Sequence, residues 1–195
     1  MRIGVMGGSF DPPHDGHLAL ARAAAVQLGL DRVLLVPAGT PPHKPTGTTL
    51  PAPRRLARGA AATAGDPVLE ACDLEVSRPG VSYTADTLDE IMRRNPGADL
   101  WFILGADQLE GLPGWSRPGH ILSVARLAVA RRPGAADPEA EPVGGTLAAG
   151  RIDIVEMPEV PISSTLVRER LARGEDVSDL VPEAVARILV RDGSP

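Results

Sequence analysis

Cysteine, lysine and aromatic residues are all scarce in this chain, and each scarcity excludes something. Cys72 is the single cysteine in 195 residues, so neither an internal disulfide nor a multi-cysteine metal site can form. No apolar run approaches the ~18 residues of a membrane span. The first apolar stretch is short and runs straight into Gly, Asp and Pro, unlike a signal peptide. Lysine occurs once, as Lys44, among 20 basic residues, and 25 acidic residues bring the net charge to −5. That balance argues against a general nucleic-acid or anionic-membrane binder while leaving room for a local basic patch. The aromatics are only Phe10, Tyr83, Trp101, Phe102 and Trp115. What remains is 43% hydrophobic and 23% charged, as in a soluble globular protein, and a cytoplasmic location is expected.

Short β-branched and Leu-rich runs alternate with helical patterns. Strands are expected at Ile3–Met6, Arg32–Val36, Leu100–Leu104, Arg126–Arg131 and Arg151–Glu156, with an extended segment over Val68–Val76. Helices are expected at His17–Leu28, Arg54–Thr63, Ala85–Arg94, Ser164–Ala172 and Pro182–Val190. This alternation predicts an α/β fold, a doubly wound parallel sheet with C-terminal helices, formed by residues 1–195 as a single domain. In such open sheets ligands bind in loops at the carboxyl ends of strands. Two long Pro/Gly-rich loops, Pro37–Pro53 and Pro133–Gly150, read as functional or mobile segments rather than domain boundaries.

The first strand leads into Gly7-Gly8-Ser9-Phe10-Asp11-Pro12-Pro13-His14-Asp15-Gly16-His17 and then a helix. The glycines let backbone N–H groups approach a ligand, and the helix N-terminus adds partial positive charge. His14 and His17 stand three residues apart at the helix start, so both imidazoles can face one point, with room left by Gly16. The pattern describes an anion cradle. It lacks a Walker-type phosphate loop, a dinucleotide fingerprint and the partners of a zinc site. Taken as bare geometry, the pair could still be a helix cap. Near the other end, Ile162-Ser163-Ser164-Thr165-Leu166-Val167-Arg168 again follows a strand and opens a helix, offering hydroxyls and a guanidinium to an anion, or merely capping that helix.

His-x-Gly-His in this setting resembles the signature of the nucleotidyltransferase superfamily, and Ile-Ser-Ser-Thr-x-x-Arg resembles that superfamily's second motif. The resemblance implies a Rossmann-like nucleotidyltransferase fold. It also implies that His14 and His17 bind a nucleotide triphosphate and steady the charge that develops in transfer. Arg168 would hold the outgoing phosphates, and Gly7, Gly8, Ser9, Phe10, Gly16, Ile162, Ser163, Ser164 and Thr165 would line the ATP site.

Three further stretches narrow the resemblance: Pro41-Pro42-His43-Lys44-Pro45 with the sole lysine, Ser82-Tyr83-Thr84 at a helix start, and Gly105-Ala106-Asp107 leading to Pro113-Gly114-Trp115. Trp115 lies in a polar, glycine-rich setting where a flat ring could stack on a flat ligand, and a pyridinium would add cation–π attraction. Together they resemble the bacterial nicotinate-nucleotide adenylyltransferases, which join ATP and nicotinate mononucleotide into deamido-NAD. By that resemblance His43 and Lys44 meet the mononucleotide phosphate, Tyr83 and Thr84 the nicotinate carboxylate, Trp115 the pyridine ring, and Asp107 the nucleotide. Arg132 falls in an Arg-Arg-Pro-Gly turn similar to the family's and is expected at the substrate. Where that family has methionine three residues after an arginine, this chain has Ala57 and Arg58 after Arg54 and Arg55. Mg²⁺ is expected with ATP, with no protein ligand for it identified. Nucleic acid and membrane are not expected partners, and a homo-oligomer is left open. Other adenylyltransferases, for phosphopantetheine or nicotinamide mononucleotide, and a non-catalytic nucleotide sensor are the competing readings.

Overall fold

A computed structural model describes residues 1–41, 50–131, 150–158 and 160–193. Strands β1 (Arg2–Gly8), β2 (Arg32–Pro37), β3 (Leu69–Ala71), β4 (Asp99–Leu104), β5 (Arg126–Arg131) and β6 (Ile152–Glu156) form one sheet in the order β3-β2-β1-β4-β5-β6. Every pairing is parallel, which demands a crossover between successive strands. The crossovers and tail hold helices α1 (Asp15–Leu28), α2 (Ala52–Thr63), α3 (Thr84–Arg94), α4 (Ala106–Gly111), α5 (Pro118–Val124), α6 (Ser164–Ala172) and α7 (Glu183–Arg191).

Side chains alternate across the strands into two buried layers. Ile3, Val5, Leu34, Val36, Leu100, Phe102, Leu104, Leu127 and Val129 meet Ala85, Leu88 and Ile91 of α3 and Ile121 and Leu122 of α5. Met6, Val33, Leu35, Trp101, Ile103 and Ala128 face the other way, onto Leu18, Ala21 and Ala24 of α1, Val167 of α6, and Val185 and Leu189 of α7. A sheet covered on both faces needs apolar residues in both phases, which is why LWFIL at 100–104 reads as a continuous apolar run. The amino ends of the strands are held by polar contacts. Arg126 grips Asp153 through two nitrogens at 2.6 and 2.8 Å, and the Trp101 indole N–H donates to the same carboxylate at 2.8 Å. The Arg2 guanidinium lies 4.6 Å from the centre of the Trp101 ring.

Two parts of the sequence reading need correction. Of the extended segment 68–76, only Leu69–Ala71 is strand. Asp73 then turns the chain, its carbonyl and carboxylate accepting from the backbone N–H and hydroxyl of Ser77 at 2.8 and 3.0 Å. The stretch between Gly105 and Trp115, expected as a loop, carries α4 and a 3-10 turn at Leu112–Gly114, and α5 follows. These helices are too short, and too interleaved with Gly and Pro, to show a helical period in sequence. Buried Leu109, Leu112 and Ile121 hold them in place.

Candidate active site

The strand order reverses between β1 and β4, and the loops leaving these two strands diverge there to open a cleft of about 1020 Å³. Gly7, Gly8, Ser9, Phe10, His14, Gly16 and His17 form one wall, and Asp107 and Trp115 belong to another. Tyr83 and Thr84 at the start of α3, and Ile162, Ser163 and Ser164 before α6, complete the set of expected residues on its surface. Thr165 and Arg168 are not on the cleft wall. His43, Lys44 and Arg132 lie outside the described residues.

The two histidines meet. Their ring centroids are 3.6 Å apart with planes inclined at 31°, and the Phe10 ring stands edge-on to His17 at 4.9 Å. Phe10 makes the turn after β1 in the left-handed region, at φ 47°. His14 is the N-cap of α1, and its backbone N–H donates to Nδ1 of His17 at 3.2 Å. An Nδ1 that accepts leaves the proton of a neutral imidazole on Nε2, so His17 offers an Nε2–H donor. Nδ1 of His14 is buried and finds no hydrogen-bond partner among the described residues. Loss of water lowers the His14 pKa to about 4; desolvation and the neighbouring His14 lower that of His17 to about 3. Both rings are therefore neutral near pH 7 and act as dipolar donors rather than cations. Gly16 leaves room beside them: a Cβ there would press on the His14 ring, 3.1 Å from its Nδ1, while the Ile162 carbonyl at 3.6 Å is an ordinary contact.

The second motif closes onto the first. Ser163 caps α6 by accepting from the N–H of Leu166 at 3.1 Å, and the Ser164 hydroxyl donates to the Pro12 carbonyl at 2.9 Å. Arg168, one turn into α6, donates to the Asp11 carbonyl at 2.6 Å and to the Thr165 hydroxyl at 3.2 Å. These bonds join positions more than 150 residues apart in the chain. In addition, the backbone N–H of Asp15 donates to the Leu180 carbonyl at 3.0 Å.

Two buried charged residues were missed as site elements. Arg55 of α2 is completely buried and donates to the carbonyls of Ser9 at 2.7 Å, Leu50 at 3.1 Å, Gly39 at 3.2 Å and Ala38. It ties the histidine loop to the chain leaving β2, with Asp11 and Glu75 supporting the charge that burial opposes. Glu75 is itself buried and lies on the cleft wall. Its pKa is raised by desolvation, against hydrogen bonds from Thr87 and Ser82 and the nearby charge of Arg78. Arg55 is one of two arginines at a position the family resemblance marks, without the methionine that goes with it, and Glu75 belongs to no motif; the role of each comes from burial, which is not visible in sequence.

A parallel sheet whose switch point carries a glycine loop, a stacked pair of neutral histidines and a capped helix bonded back onto that loop defines a nucleotide-handling α/β protein. Residues 5–170 match the cytidylyltransferase-like family model. The chain belongs to the nicotinate-nucleotide adenylyltransferase family. It is 40% identical to a Dehalococcoides mccartyi protein named "Probable nicotinate-nucleotide adenylyltransferase", over 99% of this chain and 96% of that one. To a Roseiflexus protein of the same name it is 41% identical, over 98% and 96%. Among solved structures, the fold is similar to that of the Plasmodium falciparum nicotinic acid mononucleotide adenylyltransferase complexed with NaAD. The TM-score is 0.74 at 16% identity, over 98% of this chain and 95% of that one. That likeness carries the architecture alone.

Proposed function

We propose that the cleft transfers the adenylyl group of ATP to the phosphate of nicotinate mononucleotide, giving deamido-NAD and pyrophosphate. The observation that carries this reading is the neutral His14–His17 pair at the start of α1, facing the same cleft as the Gly7–Gly8 end of β1, in a chain of this family. An oxygen of the mononucleotide phosphate attacks the α-phosphorus of ATP. The bond from that phosphorus to the bridging oxygen breaks in line, and pyrophosphate leaves with the electron pair. The nucleophile is already mostly dianionic near neutral pH, since a phosphate monoester has its second pKa at ~6, so the step needs no general base. What the chain supplies is position and charge stabilisation.

In this reading His14 and His17 donate to phosphate oxygens as charge builds up on them. On the same reading Arg168, which lies off the cleft wall and is fastened to the Asp11 carbonyl, swings N–H groups toward the leaving phosphates when ATP is bound. Ser163, Ser164 and Ile162 border the adenosine side, Asp107 meets nucleotide, and Tyr83, Thr84 and Trp115 receive the pyridine side, joined by His43, Lys44 and Arg132 at the acceptor. Among the described residues no group of three or more His, Cys, Asp or Glu side chains is placed to hold a metal. Mg²⁺ accompanying ATP would supply charge neutralisation for the transfer, and no residue of this chain is assigned to hold it. Residues 1–195 act as one cytoplasmic domain with two nucleotides as partners, outside nucleic acid and membrane. Among the described residues no helix is long and apolar enough to cross a membrane.

The test is pyrophosphate release from ATP with nicotinate mononucleotide, nicotinamide mononucleotide or phosphopantetheine as acceptor. The expected result is fastest turnover with the first. Preference for either of the others overturns the substrate assignment, and ATP binding without pyrophosphate release in all three overturns the reaction.

A further inference from the structure

Glu75 is buried where the Gly39–Thr40 segment meets the start of α3. The Thr87 hydroxyl of α3 donates to Oε1 at 2.6 Å, and the Ser82 hydroxyl and the Gly39 backbone N–H are close enough to favour the charged carboxylate. The direction of the Ser82 bond follows from its other contacts. Its Oγ accepts from the N–H groups of Gly39 at 3.0 Å and Thr40 at 3.3 Å, so its single proton is left for Glu75. Thr87 is arranged alike, accepting from Arg78 at 3.1 Å while its proton goes to Glu75. The Tyr83 carbonyl, at 3.2 Å from the Thr87 hydroxyl, is the more distant acceptor.

The backbone reinforces this junction. Thr40 bridges Val81 in parallel, and the Ser82 N–H donates to the Thr40 carbonyl at 2.9 Å. A Cβ on Gly39 would collide with the Glu75 carbonyl, so the chain leaving β2 lies directly against the Glu75 turn. Nothing in the transfer chemistry uses this carboxylate, yet it is buried on the cleft wall beside Ser82, Tyr83 and Thr84. A buried carboxylate is retained where several donors need one acceptor that only an anion can satisfy together.

We propose that Glu75 is the positioning residue of the acceptor half of the cleft, clamping the Gly39–Thr40 segment to the start of α3 so that Tyr83 and Thr84 are held in place for the mononucleotide. The role rests on the adenylyl-transfer reading above for its substrate, but not for its geometry. The hydrogen bond to Glu75 comes from the acceptor side, and its charge reaches the histidine loop only at one remove, through Arg55, so its loss acts first on the acceptor substrate. The histidine loop is held by different groups: Arg55, Ser164 and Arg168.

Glu75→Gln keeps the shape but removes the charge and turns one of the two acceptor oxygens into a donor amide. It is expected to raise KM for nicotinate mononucleotide about tenfold, leave KM for ATP within about twofold and kcat within about threefold. Amide hydrogen exchange at Gly39, Thr40 and Ser82 should accelerate about tenfold, with Leu18 in α1 unchanged. Thr87→Val should reproduce the split and Thr87→Ser should restore it, which keeps the test open if Glu75→Gln folds poorly. Equal rises in both KM values, or unchanged exchange and KM, overturn the proposal. If the wild-type protein releases no pyrophosphate with this acceptor, the substrate reading has failed, and the exchange measurements alone decide whether Glu75 clamps the two segments.

Discussion

At the scale of single residues, burial keeps two closely placed histidines uncharged near neutral pH. Their rings sit 3.6 Å apart, so protonating either one would set a cation against its neighbour in a place short of water. Neutral donors are also what a stepwise build-up of phosphate charge can use, since they add stabilisation without first needing a counter-ion. His17→Ala should lower kcat about 10²–10³-fold, the usual cost of losing one preorganised donor, with unchanged circular dichroism and Tm. Turnover at wild-type level in a folded variant would remove His17 from the mechanism. Arg55 shows what a residue-by-residue reading cannot see. Its neighbours in sequence say only that it lies on a helix, while its role comes from the carbonyls of Ser9, Ala38, Gly39 and Leu50 converging on one guanidinium.

Between elements, α2 and α7 are joined by a charge cluster at the C-terminal cap of α7. Asp192 receives Arg54 at 2.8 Å and Arg58 at 3.4 Å. Arg58, which with Ala57 occupies the spacing at which the resembled family has methionine, is buried, its Nε without a hydrogen-bond partner among the described residues. Removing its carboxylate leaves a buried cation poorly paired, which costs more than never having the pair. Asp192→Ala should therefore lower Tm, and Arg58→Leu combined with it should recover part of the loss in thermal melts. A double variant less stable than Asp192→Ala would show that Arg58 is held by packing rather than by charge. On the opposite side of the sheet, the α4–α5 segment presents Trp115, whose ring meets Phe102 edge-on at 5.8 Å. Trp115→Ala should raise KM for the mononucleotide far more than for ATP in steady-state assays. Equal effects on both would place the ring outside the nicotinate pocket.

For the whole molecule, the histidine pair links folding to pH. Both rings have folded pKa values below the 6.5 of a free imidazole, at about 4 and about 3. Between pH 6.5 and about 4 the unfolded chain therefore binds protons that the folded chain refuses. Stability present at pH 7 should fall across that window, with a slope of up to about 1.4 kcal/mol per pH unit for each histidine. The raised carboxyls of Glu75 and Asp15 work in the other direction. Asp66 and Asp153, whose carboxyls are lowered by hydrogen bonds and arginine partners, lose their contribution only at still lower pH. Urea denaturation at pH 7 and pH 5 should show the loss, and a His14→Asn/His17→Asn variant should flatten it. An equally steep pH dependence in that variant would assign the effect elsewhere.

How much of this was legible in the chain divides along a physical line. The sequence by itself determined the alternation of strands and helices, because apolar periodicity is local, and it marked His14, Gly16, His17 and the Ser163–Arg168 stretch, because a loop that cradles an anion is built from adjacent residues. The short helices α4 and α5 were hidden, since their stability comes from Leu109, Leu112 and Ile121 packing on the sheet rather than from their own period. Only the tertiary structure decided that the two terminal motifs close on each other through Ser164 and Arg168, that Arg55 braces the loops behind them, and that Glu75 is buried where the Gly39–Thr40 segment meets the start of α3, beside Tyr83 and Thr84. Those roles arise from bonds between residues far apart in the chain, and a buried charge acquires its meaning only from the partners that folding brings to it.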